Sequence, residues 1–265
     1  MNNKIGYSAE QPNQTLARGL LILESFTEEH PEWGVRELGR ALRVNVTTIH
    51  RLVSTLANIG YLERNPENQR YRLGPKIMKL AAVYSAQNPL ANIAQQVFER
   101  HAHRFEHSFY LGVLRGFEVT YVTVSDGRGP IKLSVEPGGS AALYATAMGK
   151  VLLASQSDEF IRLFLAATPL LPLTPRTVTD EKELWKQVAT IRAQGYATNF
   201  GESYEDIGSV AVPIHGQGGR VVAGMSLSFP QHYLDTGKLQ IDDLLQIAQE
   251  VGNEISLRSA GTAPA

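Results

Sequence analysis

Hydrophobic residues recur at helical spacing in three consecutive segments near the start of the chain. The first segment predicts a helix from Thr15 to about residue 28, and the second predicts a short helix over residues 35–42. The third segment, VNVTTIHRLVSTLANIG, predicts a helix that starts at Asn45 or Thr47, since either side chain can cap it, and that stops before Gly60. Three short helices in close succession are typical of a small helical domain.

Two short extended segments follow the third helix. Tyr61–Arg64 and Arg70–Leu73 flank the sequence NPENQ, which has the composition of a turn, so they predict a β-hairpin. Three helices and a hairpin within residues 15–74 predict a winged helix-turn-helix. The next segment, Pro75–Gln87, starts with a proline suited to a first helical turn and predicts a linker helix.

The hydrophobic pattern changes beyond residue 88. After one more helix that starts at Asn88-Pro89, short β-rich segments separated by glycine-containing turns predict antiparallel strands. The strand segments are SFYLGVL, EVTYVTV, IKLSVE, GYATNF, SVAVPI and RVVAGMSLSF. The helical segments are YATAMGKVLLA, SDEFIRLFLAA, DEKELWKQVATIRAQG and a final stretch from about Leu234 to Leu257. Residues 88–258 are therefore predicted to be an α+β domain, with tails at 1–14 and 259–265 that we expect to be disordered.

The composition excludes several kinds of chemistry. The 265 residues are 43% hydrophobic and 19% charged with a formal net charge of −1, so any basic surface must be local. The chain has no cysteine, which excludes disulfides, thiolate nucleophiles and cysteine-ligated metals and is typical of a reducing compartment. The first residues lack the apolar core of a secretory signal, and no apolar run is long enough to span a membrane. We therefore expect a cytoplasmic protein.

Basic charge is concentrated between Arg40 and Arg72. Six arginines and two glutamates in this stretch give a net charge of +4 before His50 is counted. The polar side of the third helix starts with groups that can meet base edges in the major groove, and the arginines of the hairpin suit phosphate contacts. The candidate DNA-binding residues are Asn45, Thr47, Thr48, His50, Arg51, Arg64, Arg70 and Arg72. A solvated face in a protein–protein module is the alternative interpretation.

A cluster of histidines follows the linker region. His103 and His107 are four residues apart, with His101 close by, and this spacing suits a metal ion if the helix persists. A surface histidine cluster is the simpler interpretation, because the helix is predicted to end near Phe105. We therefore predict neither a metal nor any other cofactor.

Two further motifs bear on ligand binding. AMGKVLLA superficially resembles a phosphate-binding loop, but Tyr144 stands where that motif needs its upstream glycine, so nucleotide binding is not predicted. Ser226 and Ser228 share one face of a predicted strand and Ser209 lies on a neighbouring strand, none of them in a nucleophile-elbow motif. The spacing alone leaves two interpretations open: strand serines facing water, or the polar lining of a pocket.

The chain resembles the IclR family of transcriptional regulators over residues 15–258. The resemblance rests on the whole segment from RGLLILESF to LGPKIMKL, and on LYATAMGKVLLA, IRAQGYATN, SVAVPI and VVAGMSLS. It implies a winged helix joined to a GAF-like effector domain, a small organic acid as effector, DNA as partner, and a dimer or dimer of dimers. The pocket positions implied by the resemblance are Leu133, Ala147, Met148, Asn199, Ile207, Ser209, Ser226 and Ser228. Backbone N–H groups at the helix start, residues 147 and 148, suit an anion.

Four positions depart from the family pattern. Asn199 stands where an acidic residue is common, Ser209 where a cysteine is common, and Ala142 where a proline is usual. These three positions bear on the identity of the effector. At Asn199, for example, a neutral amide donates as well as accepts hydrogen bonds. Arg43 occupies a turn position that is often glycine, which implies either an altered turn or a left-handed arginine.

Two other classes of function compete with a ligand-switched regulator, either repressor or activator. An enzyme with an accessory helical domain lacks a cysteine nucleophile, a credible triad and metal spacing, although paired carboxylates in a cleft stay open. A scaffold that binds no DNA would keep the same DNA affinity after joint replacement of Thr47, Thr48 and Arg51.

Overall fold

The computed structural model of the protein describes residues 13–27, 29–102, 107–129 and 135–261. Contacts divide the chain into two compact units, Met1–Ala86 and Gln87–Ala265. The elements of the first unit are α1 (Gln14–Glu24), α2 (Val35–Ala41), α3 (Val46–Asn58), β1 (Leu62–Arg64), β2 (Tyr71–Leu73) and α4 (Lys76–Gln87).

The three helices of the first unit surround a small apolar core. Ile22, Leu38, Ile49 and Val53 contribute one buried side chain or more from each helix, and Leu62 adds one from the wing. Complete burial of an aliphatic side chain contributes about 1.5–3 kcal/mol each, so these contacts hold the short helices together.

The helix starts show where sequence reasoning was accurate and where it was wrong. Asn45 caps α3, and its side chain accepts a hydrogen bond from the Thr48 backbone N–H at 2.8 Å. Asn13, rather than Thr15, caps α1, and α1 ends at Glu24 rather than near residue 28. Arg43 adopts a left-handed backbone with φ of 54°, so the turn before α3 is kept without a glycine.

The predicted wing is present as an antiparallel hairpin. Leu62 pairs with Leu73 and Arg64 with Tyr71. Trp33, which the sequence pattern did not place in a strand, adds a third pairing, because its backbone N–H donates to the Tyr71 carbonyl at 2.9 Å. The wing is therefore tied to the loop before α2.

The second unit is built on a six-stranded antiparallel sheet in the order β5-β4-β3-β8-β7-β6. Its strands are β3 (Ser108–Arg115), β4 (Glu118–Ser125), β5 (Ser140–Ala142), β6 (Ala197–Phe200), β7 (Ile207–His215) and β8 (Val221–Pro230). Its helices are α5 (Pro89–Ala102), α6 (Ala147–Ala154), α7 (Asp158–Ala167), α8 (Glu181–Gln194), α9 (His232–Asp235) and α10 (Ile241–Ala260).

Two predictions for this unit differ from the structure. The single helix predicted from Leu234 to Leu257 is two helices, α9 and α10, because the chain turns at Gly237 with φ of 70°. The strand β5 was not predicted, and most of the predicted strand IKLSVE, residues 131–136, lies outside the described residues.

The two faces of the sheet carry different cores. Phe109, Leu111 and Leu227 point to the face covered by α5 and α10. Tyr110, Val119 and Ala211 point to the opposite face, where α6, α7 and α8 pack. The predicted fold class is confirmed: an N-terminal winged helix-turn-helix and an α+β antiparallel-sheet domain of the GAF-like kind.

Within the described ranges, no helix is both long and apolar enough to cross a membrane.

Candidate functional site

The start of α3 presents polar side chains outward. Thr47, His50 and Arg51 are exposed, and Thr48 is partly buried. The capping contact engages the side-chain oxygen of Asn45, which limits that residue to a supporting role in the free protein. In α3, which is described over its whole length, no acidic residue lies in the first turn, so the positive end of the helix dipole is uncompensated.

The three wing arginines differ in what they contact. Arg64 is exposed, and its guanidinium lies 5.9 Å from the centre of the Tyr71 ring. Arg72 is exposed and pairs with Glu63 across the hairpin at 2.9 Å. Because surface ion pairs of this kind are weak, Arg72 can exchange its partner for a phosphate at little cost. The side chains of Arg64 and Arg72 are therefore suited to contact phosphates of a DNA backbone.

Arg70, which the sequence predicts as a phosphate contact, is engaged within the protein. Its guanidinium forms a bidentate pair with the Glu37 carboxylate, at 2.6 and 3.0 Å, and also donates to the Glu32 carbonyl at 3.1 Å. The backbone N–H of Gly34, first, and Arg70, second, hold the pKa of Glu37 below its ordinary value. Arg70 thus fastens the wing to α2, and a phosphate contact by this side chain would break an existing fork.

In the second unit, one row of polar residues crosses four strands. Asn199 on β6 pairs with Ser209 on β7, Ser209 pairs with Ser228 on β8, and Ser228 pairs with Ser108 on β3. Residues paired across a sheet point to the same face. These four side chains therefore share the face on which α6 packs, and Ile207, two residues before Ser209, shares it too.

The next row adds a hydroxyl and an aromatic ring. Ala211 pairs with Ser226, and Ser226 pairs with Tyr110. The Tyr110 ring meets the Tyr121 ring edge-on, with centroids 6.0 Å apart. Burial, followed by electrostatic effects of Tyr204 and Tyr110, raises the pKa of Tyr121 well above its ordinary value, so the phenol stays neutral.

The tyrosines of this face were missed by sequence reasoning. Tyr110 and Tyr121 read as ordinary aromatic residues of alternating strands, and Tyr204 lies in a loop. The pairing of β3 with β8 brings Tyr110 beside the serines. The period-2 alternation that singled out Ser226 and Ser228 also places Tyr110 on one face of its strand, but only the register shows which face.

The start of α6 is packed tightly into the unit. Thr146 caps the helix by accepting a hydrogen bond from the Gly149 backbone N–H at 3.0 Å. Ala147 and Met148 are buried, and a side chain at Gly149 would lie 2.5 Å from the Leu143 carbonyl oxygen, so glycine is required there. This packing fixes the two N–H groups that the family resemblance implies for an anion.

Asn199 and the residues near it tie this helix to the sheet. The Asn199 side-chain amide donates to the Ala145 carbonyl, just before α6, and accepts from the Glu202 backbone N–H at 3.1 Å. Lys150 on α6 pairs with the Glu202 carboxylate, and both side chains are buried. Burial lowers the pKa of Lys150, and Glu202 opposes that shift. Lys150 is therefore a structural partner here, not the exposed lysine of a phosphate-binding loop.

The polar face, as far as the structure describes it, includes neither the implied pocket residue Leu133 nor the predicted histidine cluster. Leu133, an implied pocket residue, and His103 are outside the described residues. His101 is buried against α10, with its Nε2 atom 3.0 Å from the Glu254 carboxylate. Among the described residues, no cluster of three or more His, Asp or Glu side chains is arranged to hold a metal ion.

Comparison with known families matches both units. Residues 82–257 match the domain described as bacterial transcriptional regulator IclR C-terminal, and residues 15–66 match the IclR helix-turn-helix domain. The regulator XynR of Escherichia coli K12 is 29% identical over 226 residues, which cover 85% of this chain and 90% of XynR. The Pca regulon regulatory protein of Pseudomonas putida is 28% identical, over 81% of this chain and 73% of that protein.

Solved structures agree over nearly the whole chain. The IclR protein of Thermotoga maritima superposes with a TM-score of 0.77 at 26% identity, covering 93% of this chain and 99% of that one. An IclR homologue from Microbacterium hydrocarbonoxydans, complexed with 4-hydroxybenzoate, gives a TM-score of 0.80 at 26% identity, covering 94% and 100%. The domains and relatives are those of regulators rather than enzymes. The chain belongs to the IclR family of transcriptional regulators, with a helix-turn-helix DNA-binding domain and a C-terminal effector domain.

Proposed function

We propose that this regulator binds operator DNA through residues 15–74 and responds to a small organic acid held in residues 88–258, with residues 75–87 as the linker. Two features of the chain carry the proposal. The start of α3 presents polar side chains to solvent, and in the second unit a row of polar side chains lies on the sheet face against which α6 packs. The first suits a duplex, and the second suits a compact ligand.

For DNA, we assign the base contacts to the exposed start of α3. Thr47, Thr48 and Arg51 reach base edges when a recognition helix enters the major groove with its N-terminal end, and His50 flanks them. The wing arginines Arg64 and Arg72 contact phosphates, whereas Arg70 holds the wing in position.

For the effector, we assign the acid group to the backbone N–H groups of Ala147 and Met148 at the start of α6. The hydroxyls of Ser209, Ser226 and Ser228 supply hydrogen bonds, Ile207 supplies an apolar wall, and Tyr110 and Tyr121 suit an aromatic or otherwise flat ligand. A neighbour in structure carries 4-hydroxybenzoate, and a relative regulates the Pca regulon, which makes aromatic acids the first ligands to test.

For assembly, we propose a homodimer or dimer of dimers. Large apolar side chains are exposed on α1 and α4, among them Leu16, Leu20, Met78 and Leu80. Exposed apolar residues concentrated on two helices are typical of a surface covered by a partner. Light scattering of the full chain tests this: a monomer at micromolar concentration would contradict it.

The experiment that tests the regulator is fluorescence anisotropy with a duplex from the region upstream of the gene. We expect sequence-selective binding whose affinity falls with salt, and a change in affinity, in either direction, when an effector is added. A thermal-shift screen of small carboxylates and aromatic acids identifies that effector, because binding to the folded state raises Tm. Absence of salt-sensitive, sequence-selective binding would contradict the proposal.

A further inference from the structure

Asn199 makes two hydrogen bonds to the backbone of its own domain. It is 1% exposed, at the β6 end of the polar row. Its nitrogen donates to the carbonyl of Ala145, two residues before the first residue of α6, and its oxygen accepts from the N–H of Glu202. One planar amide thus joins three segments: the entry to α6, the strand β6 and the loop after β6.

This double contact requires a side chain that both donates and accepts a hydrogen bond. A carboxylate at position 199 has no hydrogen to donate, and it would place a negative oxygen against the negative end of the Ala145 carbonyl. A protonated carboxylic acid can do both tasks, with its O–H donating and its second oxygen accepting. An acidic side chain at this position cannot form the same contact in its charged state.

Two lysines on the neighbouring helices are already paired with glutamates. Lys150 on α6 is paired with Glu202 in the loop, and on α8 Lys186 is paired with Glu183 at 3.0 Å. The second Glu202 oxygen is buried without a hydrogen-bond partner among the residues that the structure describes. A new negative charge here would therefore meet an existing one in a buried setting.

The same loop is held from a further side. In the connection between α7 and α8, the Thr177 hydroxyl donates to the Glu202 carbonyl at 2.6 Å, and the Thr174 hydroxyl lies 3.3 Å from the same oxygen. The Thr174 hydroxyl also lies 2.6 Å from the Gly201 carbonyl. With this backbone fixed, Asn199 links a rigid loop directly to the entry of α6.

We propose that Asn199 is a positioning residue, an uncharged clasp that holds the entry of α6 in place, and that this role depends on a side chain that donates as well as accepts a hydrogen bond, which a charged carboxylate cannot do. The inference rests on the proposed function only for its consequence, since the entry of α6 is the proposed anion site. Its test needs no ligand, so it fails or stands independently of the effector assignment.

The test compares Tm of the full chain at pH 5 and pH 8 for the wild type, Asn199→Asp and Asn199→Ala. At pH 5 the buried carboxyl that Asn199→Asp introduces keeps the clasp if it is protonated in the folded state, and we expect the smaller deficit in Tm at this pH; the deficit is not zero, because the carboxyl of the unfolded chain, with an ordinary pKa of about 3.9, is already ionised. Burial without a partner for the charge raises the pKa of this carboxyl in the folded state above that in the unfolded chain, so stability is lost as pH rises from the ordinary pKa through the folded one, and the loss is greater at pH 8. We expect the deficit of Asn199→Asp to be larger at pH 8 by about 4 °C or more, and the deficit of Asn199→Ala to be equal at both pH values.

A matched control separates the clasp from a simple change of charge. Asn253 is exposed on α10, so Asn253→Asp adds the same charge on the surface, and its Tm difference from the wild type should not vary between pH 5 and pH 8. A deficit of Asn199→Asp that is equal at the two pH values would overturn the proposal. A pH-dependent deficit of the same size in Asn253→Asp would overturn it as well.

Hydrogen exchange gives a second measurement if Asn199→Asp folds at neither pH. The Glu202 backbone N–H, which donates to Asn199, should exchange about tenfold faster or more in Asn199→Ala than in the wild type. Backbone amides of Val212 and Leu227, in the centre of the same sheet, should keep their wild-type rates. An unchanged rate at Glu202 would contradict the clasp.

Discussion

The start of α3 and the inner face of the second unit's sheet are both rich in hydroxyls, yet they differ in exposure. Thr47, His50 and Arg51 face water, whereas Ser226 and Ser228 are buried. A polar group exposed to water keeps its hydrogen bonds with the solvent, so it carries no free-energy cost in the free protein. A buried polar group must find a partner within the protein or bind a ligand, since leaving it unsatisfied costs about 1–3 kcal/mol. This difference is what we expect if the α3 surface binds a macromolecule and the sheet face binds a small molecule, as we propose.

Replacing Arg51 should have the largest effect on the α3 side of this comparison. Arg51→Ala removes a guanidinium suited to bidentate contact with a guanine edge, so specific operator affinity should fall by about 10–100-fold at fixed salt. Anisotropy with operator and scrambled duplexes measures it, and the scrambled duplex should be affected less. Arg115→Ala, an exposed arginine at the end of β3, is the matched control and should leave both affinities unchanged. Equal losses on both duplexes would show that Arg51 binds phosphate only.

Removing the paired hydroxyls tests the pocket side. Ser226→Ala with Ser228→Ala should weaken the effector found by thermal shift by about tenfold, at about 0.5–1.5 kcal/mol per lost hydrogen bond. DNA affinity without effector should stay as in the wild type, because no DNA contact is assigned to these residues. Calorimetric titration measures the first quantity and anisotropy the second. A double variant that binds the effector as tightly as the wild type would remove these serines from the site.

Two wing arginines should separate a structural role from a DNA contact. Arg70→Ala breaks the fork to Glu37 and should lower the Tm of the first unit's transition, together with affinity for every duplex. Arg64→Ala should leave Tm unchanged and reduce the salt slope of DNA binding by about 1, since one phosphate contact is lost. Thermal denaturation and anisotropy across a salt series distinguish them. A reduced salt slope with an unchanged Tm in Arg70→Ala would restore this residue to the DNA contacts.

The smallest expected effect is the acid dependence of the same fork. The pKa of Glu37 is lower in the folded protein than its ordinary value, so its contribution to stability is present above the ordinary pKa and is lost as pH falls through the folded one. The Tm difference between the wild type and Glu37→Gln should therefore shrink as pH is lowered from 6 to 3. A difference that is constant over this range would mean that the charge of Glu37 does not matter.

Much of the fold followed from local patterns. Helical spacing predicted α2 and α3 closely, and α8, predicted in the segment DEKELWKQVATIRAQG, ends at Gly195 in a left-handed conformation that glycine adopts readily. The strands that carry Ser209, Ser226 and Ser228 were predicted from their β-rich composition and the glycine-containing turns between them. These features depend on a few neighbouring residues, which is why they can be read from a sequence. The break at Gly237 and the short strand β5 were missed, because both depend on packing beyond their own segment.

The sequence by itself determined most of the succession of elements, the family, and the residues that face outward from α3. The tertiary structure decided which polar groups already form hydrogen bonds or ion pairs within the protein. Arg70 meets Glu37 across 33 residues, and Asn199 meets Ala145 across 54. No periodicity encodes such distant pairs, because spacing reports only which side of an element a residue occupies. Which groups that side then meets is set by how the elements pack, and this decides whether a polar residue reads DNA, binds a ligand or holds its own protein together.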